Sequence, residues 1–255
     1  MYELNGKAAL VTGGSRGIGA ATAILLAEHG ADVAISYVSR PDLAAKVAKA
    51  IEAKGRRALA VQSDVTDADG CAKFVDRVAA TFGRLDVLFN NAGGPAPGNI
   101  DPESDNPATL DTWHRAVATH VNGPFYCTRA AIPHMKKQGG GVIINMASVA
   151  AHRGAPGIIA YQTVKSTVLG FTRGCARDLA DLNIRVNCVS PGLIQTDFHA
   201  RMTDEQRQHI LKNRIPLHRI GTPEHIALAV LQLITNDYIT GENLTIDAGL
   251  ISRIA

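Results

Sequence analysis

The chain has 255 residues, of which 46% are hydrophobic and 19% are charged, and its net charge is +3. This composition is typical of a globular protein with enough apolar residues for a sizeable core. The basic residues are scattered and are not interleaved with aromatic residues, so nucleic acid is not an expected partner.

The cysteines, the histidines and the beginning of the chain exclude further classes. The four cysteines are far apart and form no C-x-x-C pair, which indicates a reducing compartment. The histidines show no H-E-x-x-H spacing, so we expect no metal site. The first apolar run comes too early for a signal peptide, and no run approaches the roughly 20 residues that span a bilayer. We therefore expect a cytoplasmic protein with no membrane contact.

Short apolar runs alternate along the chain with segments of helical period. The predicted strands are KAALVT (7–12), DVAISY (32–37), ALAVQ (58–62), LDVLFN (85–90), GVIINMA (141–147), IRVNCV (184–189) and NLTID (243–247). The predicted helices are 17–29, 41–54, 67–82, helical material up to about 137, then 158–181, 203–213 and 223–235. Because the apolar runs are continuous, we expect strands that are buried on both faces. The pattern predicts one α/β domain over 1–255, a doubly wound parallel sheet of about seven strands with helices on both faces.

Polar or glycine-rich segments follow six of the predicted strands. They are TGGSRGIG (12–19), YVSR (37–40), SDV (63–65), NNAGG (90–94), SVAAHRG (148–154) and SPGLIQT (190–196). Ligands of open parallel sheets bind outside the carboxyl ends of the strands. These segments therefore predict a binding site along one edge of the sheet.

The first of these segments has the chemistry of an anion site. Its glycines let the backbone approach a ligand, and the helix that begins near Gly17 presents free N–H groups to a negative charge. A pyrophosphate fits there, although the spacing G-x-x-x-G-x-G differs from the strict dinucleotide pattern G-x-G-x-x-G. A purely structural turn is the alternative, and the position between a strand and a helix favours the cofactor.

Taken together, the motifs resemble the short-chain dehydrogenase/reductase family. They are T-G-x-x-x-G-x-G at 12–19, NNAG at 90–93, a Ser at 148 before Y-x-x-x-K at 161–165, SPG at 190–192 and YITG at 238–241. The resemblance covers essentially the whole chain and is closest to the 3-oxoacyl-(acyl carrier protein) reductases. It implies a Rossmann-type fold and hydride transfer between a nicotinamide cofactor and a small-molecule carbonyl or alcohol.

The resemblance assigns catalytic roles to Asn122, Ser148, Tyr161 and Lys165. Tyr161 exchanges a proton with the substrate oxygen, and Ser148 polarises the carbonyl. Lys165 lies one helical turn after Tyr161, so we expect both on one face and a lowered pKa for the phenol. Asn122 is expected to hold water for a proton relay, beside Pro124, where the helix must break or bend. The alternative is that Asn-Gly-Pro forms a plain helix junction.

The expected cofactor is NADP(H) rather than NAD(H). Tyr37 stands at the end of the second strand, where NAD enzymes of the family carry Asp, while Arg16 and Arg40 are available for a 2′-phosphate. The full predicted cofactor-binding set is Gly13, Ser15, Arg16, Gly17, Ile18, Gly19, Tyr37, Ser39, Arg40, Asp64, Val65, Asn91, Ala92, Gly93, Tyr161, Lys165, Pro191, Gly192, Ile194 and Thr196.

Further expectations concern the substrate and the assembly. The resemblance implies a mobile substrate lid at about 194–215 and a homotetramer whose interface contains the helices at 122–138 and 158–181. Four basic residues are candidates for contacts with an anionic substrate: His152, Arg153, His199 and Arg201. We favour the interpretation that they are solvated charges on loops. The substrate alternatives are a sugar, a steroid or a small ketone. A non-catalytic NADP(H) sensor is the alternative of a different class.

Overall fold

The computed structural model describes residues 3–199 and 202–252, and these form seven strands and eight α-helices. The strands are β1 (Ala8–Val11), β2 (Asp32–Tyr37), β3 (Ala58–Gln62), β4 (Val87–Asn90), β5 (Gly141–Met146), β6 (Ile184–Pro191) and β7 (Asn243–Ile246). The helices are α1 (Gly17–Glu28), α2 (Pro41–Glu52), α3 (Ala68–Phe82), α4 (Leu110–Val117), α5 (Gly123–Lys137), α6 (Ile159–Asp178), α7 (Asp204–Asn213) and α8 (Pro223–Thr235).

All seven strands pair in parallel in one sheet with the order β3-β2-β1-β4-β5-β6-β7. The chain runs outward from β1 in one direction and then restarts beside β1 with β4, which creates a switch point between these two strands. Val11, the last residue of β1, pairs with Ile35 of β2 and with Phe89 of β4, so the carboxyl ends of the three strands lie on one edge of the sheet. The predicted doubly wound parallel sheet is confirmed.

Two apolar clusters cover the two faces of the sheet. In β1, Ala9 and Val11 pack into one cluster with α1, α2 and α8, while Ala8 and Leu10 pack into the other with α3, α5 and α6. A strand that alternates between two buried faces must be apolar at every position, as the continuous runs of the sequence predicted. Each large aliphatic side chain buried in this way contributes about 1.5–3 kcal/mol.

The sequence predicts a break or bend at Pro124, and the structure meets this constraint with a widened turn. Residues Ala118–Asn122 form a π-helical turn, and α5 follows directly at Gly123. Pro124 is the second residue of α5, and because it has no N–H it cannot donate to a carbonyl oxygen of the preceding turn. Such π-helical turns are frequent at functional sites, and this one lies beside the cavity described below.

Within the described ranges, no helix is long and apolar enough to cross a membrane.

Candidate active site

A cavity of about 1900 Å³ runs along the carboxyl edge of the sheet. All of the predicted cofactor-binding residues line it, together with Ser148. The structure therefore brings the predicted set into one place, while the binding role of each residue stays a prediction. Among the described lining residues the fourth predicted catalytic residue, Asn122, is missing, whereas His120 is present.

The turn after β1 is fixed from the neighbouring strand. The Thr12 hydroxyl accepts hydrogen bonds from the backbone N–H groups of Asn91 and Ala92, both at 3.0 Å. The Asn91 amide in turn donates to the carbonyl oxygens of Thr12 and Gly13 at 2.9 and 3.1 Å. A Cβ on Gly13 would lie 3.0 Å from the Cα of Ala92. Because Gly13 has no side chain, the loops after β1 and β4 pack closely together, and backbone atoms line this part of the cavity.

The amino terminus of α1 has the features that a pyrophosphate needs. The first N–H groups of a helix have no intrahelical partner, and the helix dipole is positive at this end. The first turn of α1 carries no acidic residue, and Gly17 opens it with a φ of 55°. The residues present at this helix terminus therefore fit the diphosphate of a dinucleotide.

The two predicted arginines also line the cavity. The Arg40 guanidinium donates to both carboxylate oxygens of Asp42, at 3.0 and 2.8 Å. Arg16 lies 3.5 Å from the carboxylate of Asp197, in an exposed ion pair. Tyr37 ends β2 and lines the same cavity. The structure thus presents cations where a 2′-phosphate is expected, and each already has an acidic partner.

Tyr161 lies on α6 and faces Ser148, which follows β5. Burial raises the pKa of Tyr161 to about 12, and a hydrogen bond from Ser148 offsets only part of this effect. The expectation of a lowered pKa for this phenol is wrong for the structure, because desolvation is the largest effect on the pKa of Tyr161. The phenol consequently holds its proton throughout the neutral range.

Lys165 lies one helical turn after Tyr161 on α6, and its side chain is buried. Its Nζ donates to the carbonyl oxygen of Met146 at 2.6 Å and lies 5.7 Å from the centre of the Tyr161 ring. Burial lowers the pKa of Lys165 to about 7, and the nearby Cys188 opposes this shift. An ammonium group of this kind exchanges its proton readily near neutral pH.

Two aromatic contacts hold the Tyr161 ring. The ring of His120 meets it edge to face, with centroids 5.6 Å apart and an interplanar angle of 89°. The ring of Phe198 lies on another side, with centroids 5.5 Å apart. Sequence reasoning missed both residues. His120 stands two positions before Asn122 in the same turn, which was the available signal.

The segment after β6 borders the cavity. Residues 200 and 201 lie outside the described residues, as does the side chain of His199, so Arg201 and His199 receive no structural account. Helix α7 begins with a capping box between Thr203 and Gln206, and the cavity is lined from this segment by Met202, Gln206, His209 and Ile210. Of the other two basic residues, His152 contacts the Ser190 hydroxyl at 3.2 Å, and Arg153 donates to the carbonyl of Leu250.

No group of three or more metal-ligating side chains occurs in residues 3–199 and 202–252.

Comparison with known proteins places this geometry in a family. The family model described as enoyl-(acyl carrier protein) reductase matches residues 13–251. The 3-oxoacyl-(acyl carrier protein) reductase FabG of Staphylococcus aureus (strain Mu50) is 38% identical and covers 96% of this chain and 98% of its own.

Solved structures of other proteins have the same fold as this chain over nearly its whole length. A short-chain dehydrogenase of Burkholderia cenocepacia J2315, in complex with NADP, is 38% identical with a TM-score of 0.90 and covers 98% of this chain and 99% of its own. A 7α-hydroxysteroid dehydrogenase, in complex with NADH and 7-oxo glycochenodeoxycholic acid, is 33% identical with a TM-score of 0.92, and covers 100% of this chain and 98% of its own. The chain belongs to the short-chain dehydrogenase/reductase family.

Proposed function

We propose that this chain is an NADP(H)-dependent oxidoreductase that interconverts a carbonyl and a secondary alcohol, with 3-oxoacyl thioesters as the substrate class. The observation that carries the proposal is the meeting of the Ser148 and Tyr161 hydroxyls, next to buried Lys165, in a cavity that begins at a glycine-rich helix terminus. Two hydroxyls that converge on one point are suited to a single oxygen atom that gains negative charge.

In the reducing direction the chain supplies the proton and the orientation. The bound cofactor provides the hydride that adds to the carbonyl carbon. Ser148 donates a hydrogen bond to the carbonyl oxygen, and Tyr161 transfers its phenolic proton to that oxygen as the carbon–oxygen double bond becomes a single bond. With a pKa of about 12, Tyr161 is in the acid form that this step requires.

Lys165 restores the acid after each turnover. The phenolate that remains on Tyr161 is stabilised by the ammonium group of Lys165, which lies 5.7 Å from the centre of the ring. Because the pKa of Lys165 is lowered to about 7 by burial, the group gives up and regains a proton near neutral pH. Tyr161 and Lys165 then return the site to its starting protonation state with one proton taken from solvent.

The cofactor preference is supported by the 2′-phosphate end of the cavity. Tyr37 stands where an acid would repel a phosphate, and Arg16 and Arg40 line the same cavity. The relative from Burkholderia cenocepacia was solved with NADP, whereas the hydroxysteroid dehydrogenase was solved with NADH. The basic residues of this chain favour the first of these cofactors.

The substrate class is supported by the relatives and by the shape of the site. Curated relatives from Staphylococcus aureus and Thermotoga maritima are named 3-oxoacyl-(acyl carrier protein) reductases. Phe198 contacts the Tyr161 ring, and Met202 and Ile210 add apolar side chains to the cavity lining, which suits an acyl chain. An oxo-steroid is the second candidate, since the hydroxysteroid dehydrogenase has the same fold over this whole chain. We further propose one catalytic domain over 1–255, a substrate lid at about 194–215 and a cytoplasmic homotetramer.

The test is NADPH oxidation by the purified protein against acetoacetyl thioesters, 7-oxo bile acids, hexoses and simple ketones. The proposal predicts turnover of the thioester with kcat/KM at least about tenfold above the others. Preference for the oxo-steroid would transfer the assignment to the second candidate. NADPH binding with no turnover of any carbonyl would contradict the catalytic proposal and support a sensor.

A further inference from the structure

The segment that follows β6 lies against the glycine-rich turn. A Cβ on Gly17 would be 3.4 Å from the Cγ2 of Thr196, and the next residue, Asp197, forms its ion pair with Arg16 at 3.5 Å. Asp197 and Arg16 both line the cavity. The mechanism above gives Asp197 no role, although its carboxylate meets a cation that is expected to bind the 2′-phosphate.

Asp197 also acts on the second arginine of the predicted cofactor site. The pKa of Arg40 is raised, first by its hydrogen bond to Asp42 and to a smaller extent by the negative charge of Asp197. One carboxylate therefore influences both of the cations that are expected at the 2′-phosphate. With Arg16 this carboxylate forms an ion pair, so Arg16 is the residue through which Asp197 has the larger effect.

A carboxylate and a 2′-phosphate compete for Arg16, because a guanidinium binds both of them with the same N–H groups. The side chains of Arg16 and Asp197 are 57% and 75% exposed, so their ion pair is weak and open to an incoming ligand. A phosphate monoester carries a charge of about −1.5 to −2 at neutral pH, which exceeds the charge of one carboxylate. NADPH can therefore displace Asp197 from Arg16 but must break the ion pair to do so, whereas NADH leaves the pair intact.

We propose that Asp197 determines how strongly the protein discriminates between the two cofactors, because its carboxylate positions Arg16 and competes with the 2′-phosphate for that guanidinium. This role rests on the proposed function, in which NADP(H) is the cofactor and Arg16 contacts its 2′-phosphate. Asp197 is a positioning residue that acts through Arg16. It lowers the affinity for NADPH and leaves the affinity for NADH unchanged.

Calorimetric titration of the parent and of Asp197→Asn with NADPH and with NADH tests this role. The amide keeps the shape of the side chain and removes its charge. We expect the dissociation constant for NADPH to fall about two- to fivefold, the range of an exposed ion pair, and that for NADH to stay within about 1.5-fold. The matched control is Asp181→Asn, which removes the same charge from an exposed residue that is not among the described lining residues of the cavity. It should change neither constant.

A double variant shows whether the effect passes through Arg16. In an Arg16→Ala background, Asp197→Asn should change the NADPH dissociation constant by less than about 1.5-fold. In the parent background the gain should shrink between about 0.05 and 0.5 M salt, because added ions screen exposed charges. An unchanged ratio of the NADPH and NADH constants in Asp197→Asn, or an equal gain in the Arg16→Ala background, would overturn the role of Asp197.

The same titrations separate this role from the cofactor preference of the proposed function. A parent protein that binds NADH more tightly than NADPH would contradict the preference, whereas the role of Asp197 is decided by the change in the NADPH constant between parent and variant. Retained NADH binding shows that each variant is folded. A loss of affinity for both cofactors in Asp197→Asn would mean that the residue supports the loop and does not discriminate between them, which would also overturn its proposed role.

Discussion

Burial determines how both Tyr161 and Lys165 titrate. Each side chain loses water on folding, and in each the neutral form is favoured, so the pKa of the phenol rises to about 12 and that of the amine falls to about 7. As a result, a phenol that stays protonated lies beside an amine that exchanges its proton near neutral pH. Because the phenol keeps its proton, this combination favours the proton donation of carbonyl reduction over the proton removal of alcohol oxidation when no cofactor is bound.

Replacing Lys165 with Met is expected to change how stability depends on pH. Above a pH of about 10.5 the lysine is neutral in both states; as the pH falls to about 7 the unfolded chain binds a proton that the folded protein does not. Stability is therefore lost as the pH falls through this window. The stabilising effect of Lys165→Met relative to the parent should be larger at pH 7 than at pH 9.5, by on the order of 3 kcal/mol.

Urea unfolding of both proteins at the two pH values measures this difference. Tyr161 and His120 are present in both proteins, so their contributions cancel in the comparison. The carbonyl of Met146 loses its donor at both pH values, and its cost cancels in the comparison. An equal difference in the free energy of unfolding at both pH values would show that Lys165 is not desolvated in the folded protein.

Arg16 is expected to set the cofactor preference. A charge-assisted hydrogen bond contributes about 1.5–3 kcal/mol, which is about ten- to a hundredfold in affinity. Arg16→Ala should lower kcat/KM for NADPH by this factor and leave kcat/KM for NADH within about twofold. Arg40→Ala is the matched control and should have a smaller effect, because the Nε and Nη2 of Arg40 already donate to the carboxylate of Asp42. If the parent favours NADH, the argument from Tyr37 and the two arginines is wrong.

At the residue scale the sequence predicts which side chains surround the cavity but not the partner of each group. The strand ends identify Ser148, and the motif identifies Tyr161 and Lys165. Whether His120 or Asn122 faces the cavity depends on how far the helix rotates per residue, and the π-helical turn changes that rotation. The direction of the Tyr161 shift depends on burial, which spacing along the chain does not reveal.

At the scale of elements, the turn from β1 to α1 does most to shape the cofactor end of the cavity. Gly19 lies against this turn, where an added Cβ would be 2.6 Å from the carbonyl oxygen of Gly13 and 2.5 Å from the Asn91 amide. Real Cβ contacts of this length do not occur, so Gly19→Ala must move the turn. We expect NADPH affinity to fall at least about tenfold, measured by calorimetry.

Gly55→Ala provides the control for this change. Gly55 follows α2, adopts a φ of 74° and has open space around its Cα. An alanine there costs about 1–2 kcal/mol in the free energy of unfolding, because its Cβ disfavours a left-handed backbone. NADPH affinity should be unchanged. Equal loss of affinity in both variants would show that stability, and not the shape of the turn, governs binding.

Element positions were largely predictable, because each buried strand is a continuous apolar run between turn residues. The strand at 32–37 and the helix at 223–235 are found at their predicted positions. The segment from 110 to 137 was predicted only as helical material, and the structure divides it into α4, a π-helical turn and α5. A turn of the π type has no composition of its own, so the sequence could indicate an irregularity at Pro124 but not its form.

At the scale of the whole molecule, we predict a homotetramer in which α5 and α6 pack across an interface. The outward face of α6 carries small exposed residues, among them Thr167 and Gly170. Gly170→Arg should therefore reduce the assembly size in light scattering at micromolar concentration, whereas Glu52→Arg on the exposed face of α2 should not. A monomeric parent protein would contradict the predicted assembly.

The central claim is that the whole fold delivers one proton donor, Tyr161, to a carbonyl beside a bound dinucleotide. Tyr161→Phe removes the phenolic oxygen and keeps the ring contacts with His120 and Phe198. General acid catalysis contributes about 10²–10⁴-fold. The decisive measurement is single-turnover hydride transfer from bound NADPH in parent and variant. The account predicts a loss of at least about a hundredfold with NADPH affinity within about threefold, and a variant that transfers hydride at the parent rate would contradict it.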